Sequence, residues 1–274
     1  MLVTFIGGGN MATALIGGRS AQGAAAGEFG VVEPVARQRD ALASRFPGIR
    51  LFAETSSAAV AGCGVVVLAV KPQHMHDAAT ALAPHVAPVP VVLTIAAGIR
   101  VDDLARWLGG YRRIVRAMPN TPALVGAGIS GAYAVPALDA AARAAAAAIL
   151  YAGGDVVWCE RESLLDGVTG VSGSGPAYVF YLLEALEDAG RDVGLAQADA
   201  RKLAYATVAG AMTLAQRSDA DPATLRAQVT SKGGTTERAL ATLEARGVKA
   251  AFVAAVKDAA ARAREMGDEF GRDD

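Results

Sequence analysis

The sequence predicts an α/β chain: a doubly wound, mostly parallel sheet followed by an all-α domain. Three observations predict it. Short apolar, β-branched runs alternate with helical stretches and stop near Cys159. The first of these runs, residues 2–6, passes directly into a glycine-rich turn and a helix. Beyond Glu160 the strand signals end and only helical patterns remain. The expected domains are therefore residues 1–159 and 160–274.

The elements follow in order. Gly7-Gly8-Gly9-Asn10-Met11-Ala12 opens a helical stretch to about Gly23. This is Gly-x-Gly-x-x-Ala between strand and helix. The first glycine allows the turn, the second lets a pyrophosphate approach the backbone, and Ala12 keeps the helix close to the sheet. In that setting the motif points to a dinucleotide and a Rossmann-like first domain, with Gly7, Gly9, Asn10 and Met11 at the phosphates. Phe29–Val32 reads as a second strand that ends at Glu33, where an acid reads the adenosine ribose. Val65–Val70 ends in Lys71-Pro72, and Val91–Ile95 ends in Ala96-Ala97-Gly98. Both place ligand-facing residues at the carboxyl end of a strand, so Ala69, Val70, Lys71, Pro72, Ala96 and Ala97 join the cofactor candidates. Ile114–Met118, a run near Ile129–Tyr133 and Val156–Trp158 read as further strands, and Ala140–Leu150 as helix.

Bulk properties exclude several functions. A formal net charge of −1 gives no electrostatic case for nucleic acid or an anionic membrane. Cys63 and Cys159 make no disulfide framework, which suits a cytoplasmic protein. The opening residues lack the basic region of a signal peptide. Ala78–Ile99 is free of charge, but its three prolines divide it into a helix and a strand rather than a membrane span. His74, His76 and His85 lie in or beside one helix without paired acids or cysteines, so no metal site is expected.

In the second half, residues 177–183 are all apolar or aromatic after Pro176, and a run of that kind needs cover on more than one side. Helices are expected at about 197–217, 222–229, 236–246 and 249–266, with Gly267–Asp274 a frayed tail. Asp221 caps the helix opened by Pro222. Between it and the next helix lies Thr230-Ser-Lys-Gly-Gly-Thr-Thr236. Two glycines before a helix N-terminus suit a small anion, a carboxylate for example, or serve an ordinary turn.

The stretch Pro222–Glu244 resembles the signature of pyrroline-5-carboxylate reductase, as Pro-x-x-Leu-x-x-x-Val-Thr-Ser-x-Gly-Gly-x-Thr-x-x-Ala-Leu-x-x-Leu-Glu. The resemblance spans the chain: Phe5–Gly9, Ala69–Pro72, Asn120-Thr121-Pro122 and Val171–Tyr178 fall in that family's order and spacing. It implies NADPH- or NADH-dependent reduction of a cyclic imino acid, 1-pyrroline-5-carboxylate, to proline. It implies that Ser231, Gly234 and Thr235 hold the substrate carboxylate, that Thr236 meets the ring nitrogen, and that Glu162 and Gln228 face the substrate. It further implies a homodimer through the helical domain, with dimers often joined in rings. Lys232 departs from a common proline, and Glu33 stands where some members have a phosphate-binding serine.

Cofactor choice is balanced at the sequence level. Glu33 favours NADH, whereas Arg37 and Arg39 are close enough in sequence to pair with a 2′-phosphate. Dual use is expected, with no more than roughly tenfold preference. Ser56 is the next candidate at the adenosine end. The rival reading is a β-hydroxyacid dehydrogenase, whose Lys-x-x-x-Asn helix pattern is absent because Ala206 follows Lys202. A cofactor-binding sensor without catalysis is the third, and intact Ser231, Gly233, Gly234 and Thr236 argue against it.

Overall fold

A computed structural model describes residues 1–272. The chain runs β1 (Val3–Ile6), α1 (Asn10–Ala21), β2 (Phe29–Val32), α2 (Ala36–Arg45), β3 (Arg50–Phe52), α3 (Ser57–Val60), β4 (Val65–Leu68), α4 (Met75–Leu82), β5 (Val91–Thr94) and α5 (Val101–Trp107). It continues with β6 (Ile114–Met118), β7 (Gly128–Ala134), α6 (Ala140–Leu150), β8 (Gly154–Trp158) and α7 (Leu164–Val168). Helices α8 (Gly175–Asp192), α9 (Gln197–Gln216), α10 (Pro222–Gln228), α11 (Thr235–Ala245) and α12 (Val248–Phe270) complete it.

The eight strands form one sheet in the order β3-β2-β1-β4-β5-β6-β7-β8. Every pairing is parallel except β6 with β7. The doubly wound expectation holds, and alternation along the strands shows why. Phe5, Val65, Val67 and Leu93 pack with Leu15 and Ile16 of α1 and Ile149 of α6. Their neighbours Ile6, Val66, Leu68 and Val92 pack with Met75 of α4 and Leu104 of α5. A strand buried on both faces is apolar nearly throughout, which is the pattern of these runs. Their buried threonines are hydrogen-bonded, Thr4 donating to Ala59 O and Thr94 accepting from the Ala96 N–H. β3 escapes sequence reading because its Arg50-Leu51-Phe52 is too short and too polar at its start.

The chain divides into two compact units, Met1–Ser174 with the residues from Asp258 on, and Gly175–Lys257. The expected boundary after Cys159 coincides with the end of β8, but the first unit continues beyond it. Gly131 lies so close to α7 that a Cβ there would come within 2.6 Å of Val168 Cγ1. Thr169–Gly173 then forms a π-helix turn. The expected frayed tail is corrected in part. α12 stays helical to Phe270, Arg100 donates to Asp268 Oδ1 at 2.6 Å, and Met266 and Phe270 pack at Gly98. Asp273 and Asp274 lie outside the described residues.

The second unit is helical. Asp221 caps α10 as expected, accepting from the Ala223 and Thr224 N–H groups and the Thr224 hydroxyl, and these bonds hold its carboxyl below the usual range. Gly190 lets α8 approach Ala200 of α9. No residue of α8 is buried, and Phe180 and Tyr181 are 60% and 76% exposed. No helix among the described residues is long and apolar enough to cross a membrane.

The α7–β7 contact leaves no room for a methyl group. Gly131→Ala should lower unfolding free energy by about 1–3 kcal/mol, the usual effect of overpacking. Urea denaturation measures it, and unchanged stability would contradict this packing.

Candidate active site

The topology creates a crevice at the carboxyl ends of β1, β2 and β4. The chain leaves β1 for β2 on one side and later returns as β4 on the other, so the connections part above β1. Open α/β sheets bind ligands at this switch point. The crevice encloses about 670 Å³. Gly7 forms its floor. Its φ of +99° is left-handed, and a Cβ would lie 3.0 Å from the Ala69 carbonyl carbon and oxygen, so only glycine fits. The Gly7 N–H donates to Val32 O at 2.8 Å, and the Ala69 N–H donates to Ile6 O at 2.8 Å, stitching the three strand ends together.

α1 begins at Asn10, and the N–H groups of Gly9, Asn10 and Met11 have no acceptor among the described residues. They point from a helix N-terminus, where an anionic pyrophosphate is favoured. Glu33 is 7% exposed. Its Oε2 accepts from the Gly8 N–H at 3.1 Å and its Oε1 from the Val35 N–H at 3.0 Å. Lys71, exposed at the end of β4, lines the crevice with Ala69, Val70 and His74.

Other expected cofactor residues sit elsewhere. Arg37 is exposed on α2 and is not part of the crevice wall. Arg39 Nη1 donates to the carbonyls of Glu33 and Pro34 at 2.7 and 2.9 Å. Ser56 caps α3, accepting from the Ala59 N–H, while its neighbours Glu54 and Thr55 line the crevice. Those two follow β3, so missing that strand concealed them. Pro72 opens a short helical turn after Lys71. Ala96 is buried at the end of β5, its N–H donating to Thr94 Oγ1, and Ala97 follows it half-buried.

Glu162 is already engaged. Its Oε1 accepts from the Val101 N–H and from Arg116 Nη1, both at 2.8 Å, and Arg116 also lies 3.9 Å from Asp166. Arg116 is 5% exposed, so this ion pair ties the segment leading into α7 to β6 beneath the surface. Asn120 joins two motifs of the first unit. Its Oδ1 accepts from the Ile129 N–H, and its Nδ2 donates to Ser172 Oγ.

In the helical unit, Ser231–Gly234 forms a turn closed by the Gly234 N–H on Ser231 O at 3.0 Å, with Gly233 at φ +72° as a type II turn requires. Gly234 is the N-cap of α11. Glu237, which sequence reading overlooked, accepts from the Gly233 N–H at 2.7 Å. The N–H groups of Thr235 and Thr236 have no acceptor among the described residues. Gln228 is exposed at the end of α10. No group of His, Cys, Asp and Glu suited to a metal ion occurs among the described residues.

Comparison with known proteins fits both halves. A family model described as pyrroline-5-carboxylate reductase dimerisation matches residues 162–266, and one described as NADP oxidoreductase, coenzyme F420-dependent, matches residues 2–98. A pyrroline-5-carboxylate reductase of Pseudomonas aeruginosa is 44% identical over 270 residues, covering 98% of each chain. One from Synechocystis is 41% identical, covering 96% of this chain and 97% of its own. The structure of a pyrroline-5-carboxylate reductase from Coxiella burnetii has a TM-score of 0.89 at 35% identity, covering 96% of this chain and 97% of that one. That of the Plasmodium falciparum pyrroline carboxylate reductase, with NADP bound, has a TM-score of 0.86 at 26% identity, covering 97% and 98%. This end-to-end similarity makes the chain a member of the pyrroline-5-carboxylate reductase family.

Proposed function

We propose that this chain reduces 1-pyrroline-5-carboxylate to L-proline with NADPH or NADH, the last step of proline biosynthesis, in the cytoplasm. The observation that carries the reading is the presence of two anion-adapted helix N-termini in one chain: α1 behind the glycine turn, and α11 behind Ser231–Gly234. The first suits a pyrophosphate and the second a small carboxylate. When bound, the reduced nicotinamide supplies a hydride to the imine carbon. The C=N electron pair passes to nitrogen, which is or becomes protonated.

The chain's residues bind and orient. Gly7, Gly9, Asn10 and Met11 hold the pyrophosphate, with Glu33 at the ribose. Ala69, Val70, Lys71, Pro72, Ala96 and Ala97 follow the dinucleotide along the strand ends. Ser231, Gly234 and the Thr235 N–H hold the substrate carboxylate, with Gln228 beside them. Glu162 enters only through Oε2, since Oε1 is engaged with Arg116 and Val101. The Thr236 hydroxyl faces the ring nitrogen and donates to it. Such chemistry depends on positioning more than on a strong base.

Thr236→Val tests the catalytic assignment. Turnover of pyrroline-5-carboxylate, followed as loss of reduced-cofactor absorbance, should fall roughly ten- to a thousand-fold, the range for one positioned donor. Dinucleotide affinity should be unchanged. Undiminished turnover removes Thr236 from the mechanism, and no turnover by the wild type removes the function.

The exposed apolar side chains of α8, Val179, Phe180, Tyr181 and Leu182, need cover, and a dimerisation model matches this region. The proposed cover is a second copy, giving a homodimer that dimers of the family extend into rings. Sedimentation at low micromolar concentration should show no monomer, and its limiting mass would separate dimer from ring. A stable, active monomer contradicts the interface.

A further inference from the structure

The sequence leaves the choice between the two nicotinamide dinucleotides balanced, and the structure tips it. Resting on the dinucleotide reading of the crevice, we infer that this site is built for the cofactor without a 2′-phosphate, with Glu33 as the discriminating residue.

Glu33 cannot swing away from the crevice. Two backbone donors, the N–H groups of Gly8 and Val35, each hold one carboxylate oxygen, and the residue is buried. Pro34, next in the chain, leaves the side chain against Gly8. The tether joins the ribose-reading position to the phosphate-binding turn, so the carboxylate is fixed before any ligand arrives. Gly8 is packed into the same spot: a Cβ would meet Leu42 Cδ1 at 2.7 Å and Glu33 Oε2 at 3.3 Å. A carboxylate has about four acceptor sites, so Glu33 retains capacity for ribose hydroxyl donors. A phosphate offers acceptors and negative charge in their place.

The remaining charges of the crevice point the same way. Glu54 and Asp77 line it together with Glu33, against Lys71 and, when protonated, His74. Neither arginine that could have paired with a 2′-phosphate lines the crevice. Arg39 is held by two backbone carbonyls, and Arg37 lies on the exposed face of α2 outside the crevice wall. A charge held near a buried carboxylate is screened less than one at the surface, so the discrimination should exceed the tenfold limit read from sequence, reaching roughly 10- to 100-fold.

The test is direct binding to the full chain, titrating NADH and NADPH by calorimetry. The wild type should bind NADH at least about tenfold more tightly, the lower end of that range. Glu33→Gln removes the charge while keeping the shape, and Glu33→Ser also removes the tether. Both should narrow the ratio, mainly by tightening NADPH, and Arg37→Ala should leave it in place. Circular dichroism checks that each variant is folded. If a Glu33 variant is not, Glu54→Gln should narrow the ratio by a smaller step. Equal or tighter NADPH binding by the wild type overturns the inference, as does an unmoved ratio in folded variants. Binding of neither dinucleotide overturns the reading of the crevice as well.

Discussion

The first unit is arranged around the confinement of β1. That strand has a parallel neighbour on either side and a helical layer on either face, so each of its four residues is buried. Its chain can leave only at the carboxyl end, and there the backbone of β4 is already close. Gly7 resolves the crowding by adopting a left-handed φ, 3.0 Å from the Ala69 carbonyl for an imagined Cβ. The same turn starts α1, frees three backbone N–H groups and brings Gly8 to Glu33. The free N–H groups at the start of α1 and the hold on Glu33 therefore both follow from how one buried strand ends.

The helical unit follows a different logic. Its helices bury little within the chain: α8, α10 and α11 contain no buried residue. Large apolar groups such as Tyr181 and Phe252 remain exposed. Exposed apolar side chains on this scale mark a surface that association covers, as the matched dimerisation model also indicates. The turn before α11 is sharply defined, since a side chain at Gly233 would be strained and one at Gly234 would crowd Ser231.

Most of the fold was legible in the sequence because buried parallel strands and glycine turns leave strong local signals. Phe29–Val32 and Ile114–Met118 appear with the expected bounds. What escaped depended on contacts distant in sequence. β3 is three residues long and exists through pairing with β2, so Glu54 and Thr55 could not be assigned to the crevice. Arg39 lies near Glu33 in sequence, but only the structure shows its guanidinium bound to carbonyls. Glu162 carries no sign in sequence of Arg116 and the Val101 N–H, which hold its Oε1. The end of α12 looked like a polar tail because its anchor, Arg100, is far away along the chain.

The reaction rests on transfer of a hydride from a nicotinamide to the imine carbon of the substrate. Reduced cofactor carrying deuterium at the transferable position of the nicotinamide tests it most directly, with the proline formed analysed by NMR. One deuterium is expected on the ring CH2 carbon next to nitrogen, the former imine carbon, on a single face, and none elsewhere. Proline formed without deuterium at that carbon, or with deuterium on both faces equally, would contradict it.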